Sequence, residues 1–378
     1  MTGLSVECVG EEADFRNLSD EWRRVVAESD ADSLFVTWEW LSTWQRHFGS
    51  DGRLFVLCAR DADGALIGFA PLRIVRHRSA GGAGLRVLEW LGSGSPVWSD
   101  ALDVVSRRGR EGEVHDAVGT ELLRRRNEWD AARLTDVSDG SRTGSAFAEI
   151  FQAAGLRGNT QPCAVCPYLR LDQPWAVYEE RAHRKFRDLK KYVKALDAAG
   201  AEFGVVQSPD VLECAVDALV RLNRERVLSK DGAPSLGNER FCRFVAEITR
   251  IALQGGWLRL YYVAVGGEFI ALNLNFVHGS RVYGYLSGFN PEWQRRGVGT
   301  CLFRHAIRDS WEGGLKVYDF LRGDEAYKYR WTSDERKSIS LHVINHRGRY
   351  ALFQTSDFAE RALKKIWRSA QGVLQGST

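Results

Sequence analysis

Asn290–Ile307 reads NPEWQRRGVGTCLFRHAI, with two arginines and two glycines set immediately before an apolar helical pattern. A helix start leaves several main-chain N–H groups unpaired and carries partial positive charge. Glycine lets the backbone come close to an anion, and arginine adds charge-assisted bonds to phosphate. Gln294, Arg295, Arg296, Gly297, Val298, Gly299 and Thr300 are therefore candidates for holding a pyrophosphate. The stretch alone also fits a glycine-rich turn with surface arginines, since no GKS or GKT follows and the third glycine of the dinucleotide fingerprint is missing.

Its flanks favour the anion reading. Trp257–Val265 and Glu268–Val277 are apolar, β-branched runs separated by Gly266-Gly267, the signature of a hairpin, and Arg281–Phe289 continues it as a third strand. After the motif the sequence predicts a helix over 299–311, a buried strand over 315–321, a short helix over 324–331 and a last strand over 338–344. The first half repeats the order: strands at 54–60 and 65–75 around the turn 61–64, a strand at 85–92, a helix near 111–126, a strand at 129–137, a helix near 145–154, and a strand holding Cys163 and Cys166. Two copies of one mixed α/β unit explain this, with boundaries at 1–172 and 209–378 and a basic connection over 173–208.

Within that connection, Pro174–Gly200 reads as one long helix dense in Arg and Lys, with Phe186, Leu189, Val193 and Leu196 on the packed side. It is either a solvated charged face or a positive wall beside an anionic substrate.

A chain of 378 residues exceeds one ordinary core. Its net charge of +3 is too small for a dedicated DNA binder, so any basic site is local. The N-terminal residues lack a basic and then apolar leader and no run reaches the length of a membrane span, which favours a cytoplasmic protein without a transmembrane segment. Seven scattered cysteines suit reduced thiols. Cys163 and Cys166 form a single CxxC with no second ligand pair, so two buried thiols are preferred to a metal site.

In order of elements and in its Q-x-x-G-x-G loop, the second half resembles the GNAT acyltransferases, in which that loop holds the pyrophosphate of coenzyme A. The block Asp319–Lys328, DFLRGDEAYK, followed by Tyr329-Arg330-Trp331, is similar to the CelD/BioF2-like group, whose members are tandem GNAT units with a degenerate first copy, like the Fem transferases. The resemblance implies a mixed α+β fold of two units, each a central mixed sheet flanked by helices. It also implies acyl-CoA as cosubstrate, no metal, and a small or carrier-bound amine acceptor. The first copy departs from the pattern: Ser93–Glu113 has no GxG leading into a helix, so one donor site per chain is expected.

By its place in the resemblance Tyr327 is the candidate acid for the leaving thiolate, although with Trp331 four residues on it also fits a packed helix face. Asp319 lies in an apolar strand, where a bare carboxylate is costly. Either it pairs structurally with Arg322 or Lys328, or it orients or deprotonates the acceptor. Asp324 and Lys328 are spaced for a plain ion pair, His278 reads as a turn residue and Cys301 as helix packing. The leading function is an N-acyltransferase acting on an amino sugar or amino acid in polysaccharide or secondary-metabolite assembly. A Fem-like aminoacyltransferase using aminoacyl-tRNA, and a non-catalytic scaffold in envelope polysaccharide assembly, are the alternatives.

Overall fold

The computed structural model describes residues 3–78, 84–94, 96–97, 99–185, 187–228, 238–352 and 354. Its organising feature is an eleven-stranded mixed sheet built by both halves. From one edge it runs Glu202–Val205, Leu258–Val265, Glu268–His278, Arg281–Phe289 and Val317–Asp319. It continues through Arg157–Arg170, Glu335–Ile344, Ala131–Ser138, Gly84–Trp90, Leu72–Arg78 and Gly52–Leu54. A second sheet of four strands joins Ser5–Val9, Val56–Arg60, Leu66–Ala70 and Val105–Ser106.

The middle of the large sheet is an exchange. Arg157–Arg170, the last strand of the first half, pairs antiparallel with Val317–Asp319 of the second, with Tyr168 opposite Asp319. Glu335–Ile344, the last strand of the second half, pairs antiparallel with Ala131–Ser138 of the first. Each half thus borrows the other's closing strand, and neither sheet is finished without its neighbour.

The predicted hairpin forms because Gly266 and Gly267 both adopt positive φ, 59° and 82°, as a tight two-residue turn requires. The predicted strand 65–75 is instead two strands in two sheets: Pro71 has no N–H to donate, and the chain changes sheet there. The predicted helix over 174–200 is also two, Trp175–Lys185 and Leu189–Asp197. Their apolar faces have different targets. Trp175 and Tyr178 pack on Trp311, while Leu189 and Leu196 join the core under the helix Val298–Glu312. Phe186 lies outside the described residues.

The helix predicted over 324–331 is a loop with one 3₁₀ turn at Lys328–Arg330. The buried Lys328 ammonium donates to the carbonyls of Leu321 (3.0 Å), Arg322 (2.6 Å) and Gly323 (3.4 Å), so the segment curls around its own cation. Lys328 pairs with Glu325 at 2.9 Å, not with Asp324. The buried strand predicted over 315–321 narrows to Val317–Asp319, and the final strand lengthens to Glu335–Ile344. Helices Glu12–Asn17, Ser19–Ala27, Trp38–Phe48, Glu111–Arg124, Arg142–Ala153, Pro209–Leu228 and Glu239–Gln254 flank the sheets. Among the described residues no helix is long and apolar enough to cross a membrane.

Candidate active site

Arg281–Phe289 and Val317–Asp319 run parallel through Arg281↔Val317, Val282↔Tyr318 and Tyr283↔Asp319, and their pairing then stops. On its other side Arg281–Phe289 stays paired to Phe289, with Tyr285 as an extra residue between the pairs Asn275↔Gly284 and Leu274↔Leu286. That bulge bends the strand away from its parallel neighbour and opens a fork. The edge of Gly284–Phe289 facing the fork has no sheet partner among the described residues.

A cavity of about 330 Å³ fills the opening, walled by Asn273, Ser287, Gly288 and Phe289 of the sheet. The helix Pro209–Leu228 is pinned here: Asn223 Nδ2 donates to the Ser287 carbonyl at 2.7 Å, and a Cβ on Gly288 would lie 2.5 Å from the Asn223 nitrogen. The same helix carries Arg226 into the cavity wall, 5.9 Å above the Phe289 ring.

At the end of the fork lies the mouth of the helix Val298–Glu312. Its first helical bond runs from Cys301 N–H to Gly297 O, so the Val298, Gly299 and Thr300 amides precede the ladder. Gly297, Gly299, Thr300 and Gln294 line the cavity. Gly297 has φ of 67°, and a Cβ there would stand 2.2 Å from the Tyr192 ring, so only glycine fits. A Cβ on Gly299 would meet Phe289 at 3.5 Å, an ordinary contact. Val298 is buried beneath the mouth. Arg295 and Arg296 are exposed beside it, outside the cavity lining, and the Arg296 guanidinium stacks 4.5 Å over Trp293.

The cavity also gathers Tyr327, Arg330 and Trp331. Tyr327 is 41% exposed, stacks near Phe303 at 5.5 Å, and its hydroxyl has no hydrogen-bond partner among the described residues. Desolvation by the surrounding walls, and then the Glu325 charge, push its phenol above the ordinary value.

The other candidates are placed elsewhere. Asp319 is wholly buried and accepts from Arg336 (2.8 Å), Arg281 (3.3 Å) and the Leu321 amide (2.8 Å). Its partners are therefore neither Arg322 nor Lys328. Arg322 pairs with Asp136 at 2.8 Å, and its amide donates to Asp100 at 2.7 Å. Lys328 is occupied by backbone carbonyls, and none of these three lines the donor-side cavity. Cys166 is buried and Cys163 half-buried, with sulfurs 3.8 Å from Asp100 and 3.6 Å from Asp136. Burial raises both thiols, which keeps them protonated and poor as nucleophiles or ligands.

Sequence reasoning missed Arg226, Tyr192 and a buried polar group at the sheet. Tyr318 hydroxyl donates to Asn275 at 2.6 Å and accepts from Asn273 at 3.3 Å, and Asn273 lines the cavity. The signal was present in LNLNF, two amides on one face of an otherwise apolar strand.

Residues 183–329 match the family described as acetyltransferase (GNAT) domain. That stretch holds the fork and the helix mouth. The chain carries a GNAT acetyltransferase domain. A likeness to solved structures extends over both halves. The crystal structure of FemX aligns with 88% of this chain and 98% of its own at a TM-score of 0.58 and 11% identity. L-PGS from Bacillus licheniformis aligns with 94% of this chain and 98% of its own, at a TM-score of 0.53 and 13% identity. The C-terminal domain (DUF2156) of a putative lysylphosphatidylglycerol synthetase from Agrobacterium fabrum covers 89% of this chain and 95% of its own, at 0.50 and 13%. At such identities the likeness carries the fold. No curated protein matches the sequence.

Proposed function

We propose that this GNAT chain is an N-acyltransferase that takes its acyl group from acyl-CoA at the Gly284–Phe289 fork and delivers it to an amine. The observation that carries the reading is the coincidence of an open strand edge with an open helix mouth in one cavity. The Val298, Gly299 and Thr300 amides offer donors to a pyrophosphate, and Gly297 keeps side chains out of its path. Arg226 and Arg330 add positive charge to the same wall. Backbone N–H groups along Gly284–Gly288 are placed to stabilise the oxyanion that forms when an amine attacks the thioester carbonyl.

Tyr327 acts as a hydrogen-bond donor to the departing sulfur. Because its phenol is raised, full proton transfer to a thiolate is uphill, and the proton released by the amine completes the balance. Asp319, Arg322 and Lys328 hold the fork's base and the loop that carries Tyr327. By resemblance to the CelD/BioF2-like group the product enters a polysaccharide or secondary metabolite.

One observation favours a second donor. The helix Leu189–Asp197, with exposed Lys190, Lys191 and Lys194, packs Tyr192 against Gly297, so a basic face borders the mouth. An aminoacyl-tRNA would exploit that face, and salt-sensitive tRNA binding would reveal it. The deciding experiment is an acyl-CoA panel read by free thiol release with pooled amines. Thiol release that requires an amine supports the reading, and the absence of any thermal shift with every acyl-CoA leaves a scaffold role instead.

A further inference from the structure

Away from the fork, the large sheet carries a cavity of about 360 Å³ lined by Arg76, Arg78, Gly84, Arg86, Asp130 and Arg349. It shares no residue with the donor cavity. The strands Arg157–Arg170, Glu335–Ile344 and Ala131–Ser138 lie between Val317–Asp319 at the fork and Gly84–Trp90 here. At ordinary strand spacing that is a separation of roughly 19 Å across the sheet.

Strand pairing brings the guanidiniums together. Leu72–Arg78 and Gly84–Trp90 are antiparallel, with Arg76 directly opposite Arg86 and Arg78 opposite Gly84. Opposed and alternate residues share a face, so the three arginines project together, while Leu85 and Val87 take the other face, where Tyr350 packs. Like charges directly opposed across a ladder are destabilising. Gly84 leaves the space beside them open, since a Cβ there would meet only Arg76 Nε, at 3.9 Å. Arg349 arrives from the helical turn at 347–352, on a distant part of the chain.

One carboxylate answers these four cations. Asp130 is buried and accepts from Arg86 through its main-chain amide (2.9 Å), Nε (3.0 Å) and Nη2 (2.8 Å), and from Arg349 at 3.0 Å. Burial alone would raise this acid, but the Arg86 bonds and charge, and then the Arg349 bond, outweigh it and hold it at about 2, so it stays ionised. The neighbouring Glu128 is committed to Arg53 (2.7 Å) and Arg125 (3.0 Å). Arg76 and Arg78 are exposed and make no hydrogen bond or ion pair with any described residue. The connection over 79–83 reads SAGGA and brings no charge. Four guanidiniums against one carboxylate thus leave three positive charges around one cavity, as many as the net charge of the whole chain.

We propose that this cavity binds a compact ligand with two phosphoryl groups, of the pyrophosphate type, independently of the donor mouth. The assignment rests on the lining and not on the acyltransferase reading. No aromatic or aliphatic side chain lines the space, so it offers nothing to a base or an acyl chain. Asp130 shows that a carboxylate here is filled by two guanidiniums and cancels one charge. A diphosphate carries several charges on oxygens that point in several directions, which suits arginine forks converging from a hairpin and a distant turn. The same phosphoryl chemistry is offered by a free diphosphate and by the phosphates of an anionic lipid surface.

The test is calorimetric titration with pyrophosphate, inorganic phosphate and citrate at fixed ionic strength. It uses Gly299→Glu, whose donor mouth is closed, with and without the pair Arg76→Ser and Arg78→Ser. Pyrophosphate should fill one saturable site at least about tenfold more tightly than phosphate or citrate, and the two serines should weaken it about tenfold or more. In the otherwise wild-type protein the same serines should leave acyl-CoA affinity unchanged, and pyrophosphate should raise the Tm of the wild type more than that of the serine pair, a comparison that does not need Gly299→Glu to fold. Flotation with phosphatidylglycerol vesicles separates the sources: capture that the serines abolish marks a lipid phosphate, and no capture of the pyrophosphate-binding wild type marks a free diphosphate. Pyrophosphate affinity unchanged by the serines, citrate or phosphate bound as tightly, or no saturable site overturns the proposal.

Discussion

Among the described residues the large sheet parts at two forks, one in each half, and the one in the second half is open. In the second half the strands part after Tyr283↔Asp319, and the next residue on the long strand is Gly284. In the first half they part after Leu88↔Ala132, and the next pair is Glu89 and Arg133, joined at 2.5 Å, with Arg73 and His77 also on Glu89. Beyond that point the first half packs its own chain: Val97 and Leu102 are fully buried, and Ser99 links Trp40 to the Gly92 carbonyl. The helix mouths differ in the same sense. Glu111 and Glu113 occupy the first turn of Glu111–Arg124, and Glu111 accepts from the Gly109 amide at 2.9 Å. The first turn of Val298–Glu312 has no acidic residue. One mouth carries carboxylates of its own chain, and the other leaves the Val298–Thr300 amides ahead of the helical ladder with no acidic residue beside them.

The largest effect should come from making the second mouth resemble the first. Gly299→Glu places a carboxylate among the mouth amides, and acyl-CoA binding by calorimetry should fall below detection while the fold survives. Retained affinity would break the comparison.

Next in size is the pivot the two halves share. Arg336→Leu removes one partner from the wholly buried Asp319, and the urea midpoint should report a loss of about 3–5 kcal/mol. A loss under about 1 kcal/mol would mean that Arg281 alone suffices.

Glu89 and Asp100, two of the buried carboxylates of the first half, have opposite character. Burial alone would raise Glu89, but the His77 bond and the Arg133 and Arg73 charges outweigh it and hold the acid at about 2. Its contribution is present above the unfolded pKa near 4.3 and is lost as pH falls toward the folded value. Burial, and then the Asp136 charge, push Asp100 up to about 6. The folded state therefore loses stability as pH rises from near 4 through about 6, the reverse sign. Asp100→Asn should gain about 1–3 kcal/mol at neutral pH, the gain vanishing near pH 4, whereas Glu89→Gln should lose a similar amount at neutral pH. Equal urea midpoints across that range would contradict both assignments.

The smallest change should follow Gly299→Ala, whose methyl meets Phe289 at an ordinary 3.5 Å: acyl-CoA affinity should stay within about threefold. A large loss would show that the amide geometry, not access, is the sensitive element.

The hairpin, the third strand and the helix Val298–Glu312 were legible because periodicity and glycine placement are local signals. The contrast between the two helix mouths was legible too, since Ser93–Glu113 has no GxG leading into a helix and only the second mouth keeps the arginines and glycines. The exchanged strands Arg157–Arg170 and Glu335–Ile344 were not, because their partners are chosen by the opposite half of the chain. Nor was the loop at 324–331, where a helical pattern yields to the buried Lys328 ammonium and its carbonyls. Asp319 was marked as a carboxylate in need of a partner, yet Arg281 and Arg336 lie too far along the chain for spacing to have named them. Arg226 reaches the site from a helix whose sequence resembles any charged surface helix.

The central claim, one donor mouth per chain at Gly297–Thr300, is tested most directly by amide hydrogen exchange with and without saturating acyl-CoA. Exchange at Val298, Gly299 and Thr300 should slow on binding while Gly109–Glu113 stays unchanged. Protection at Gly109–Glu113, or none at Val298–Thr300, would contradict it.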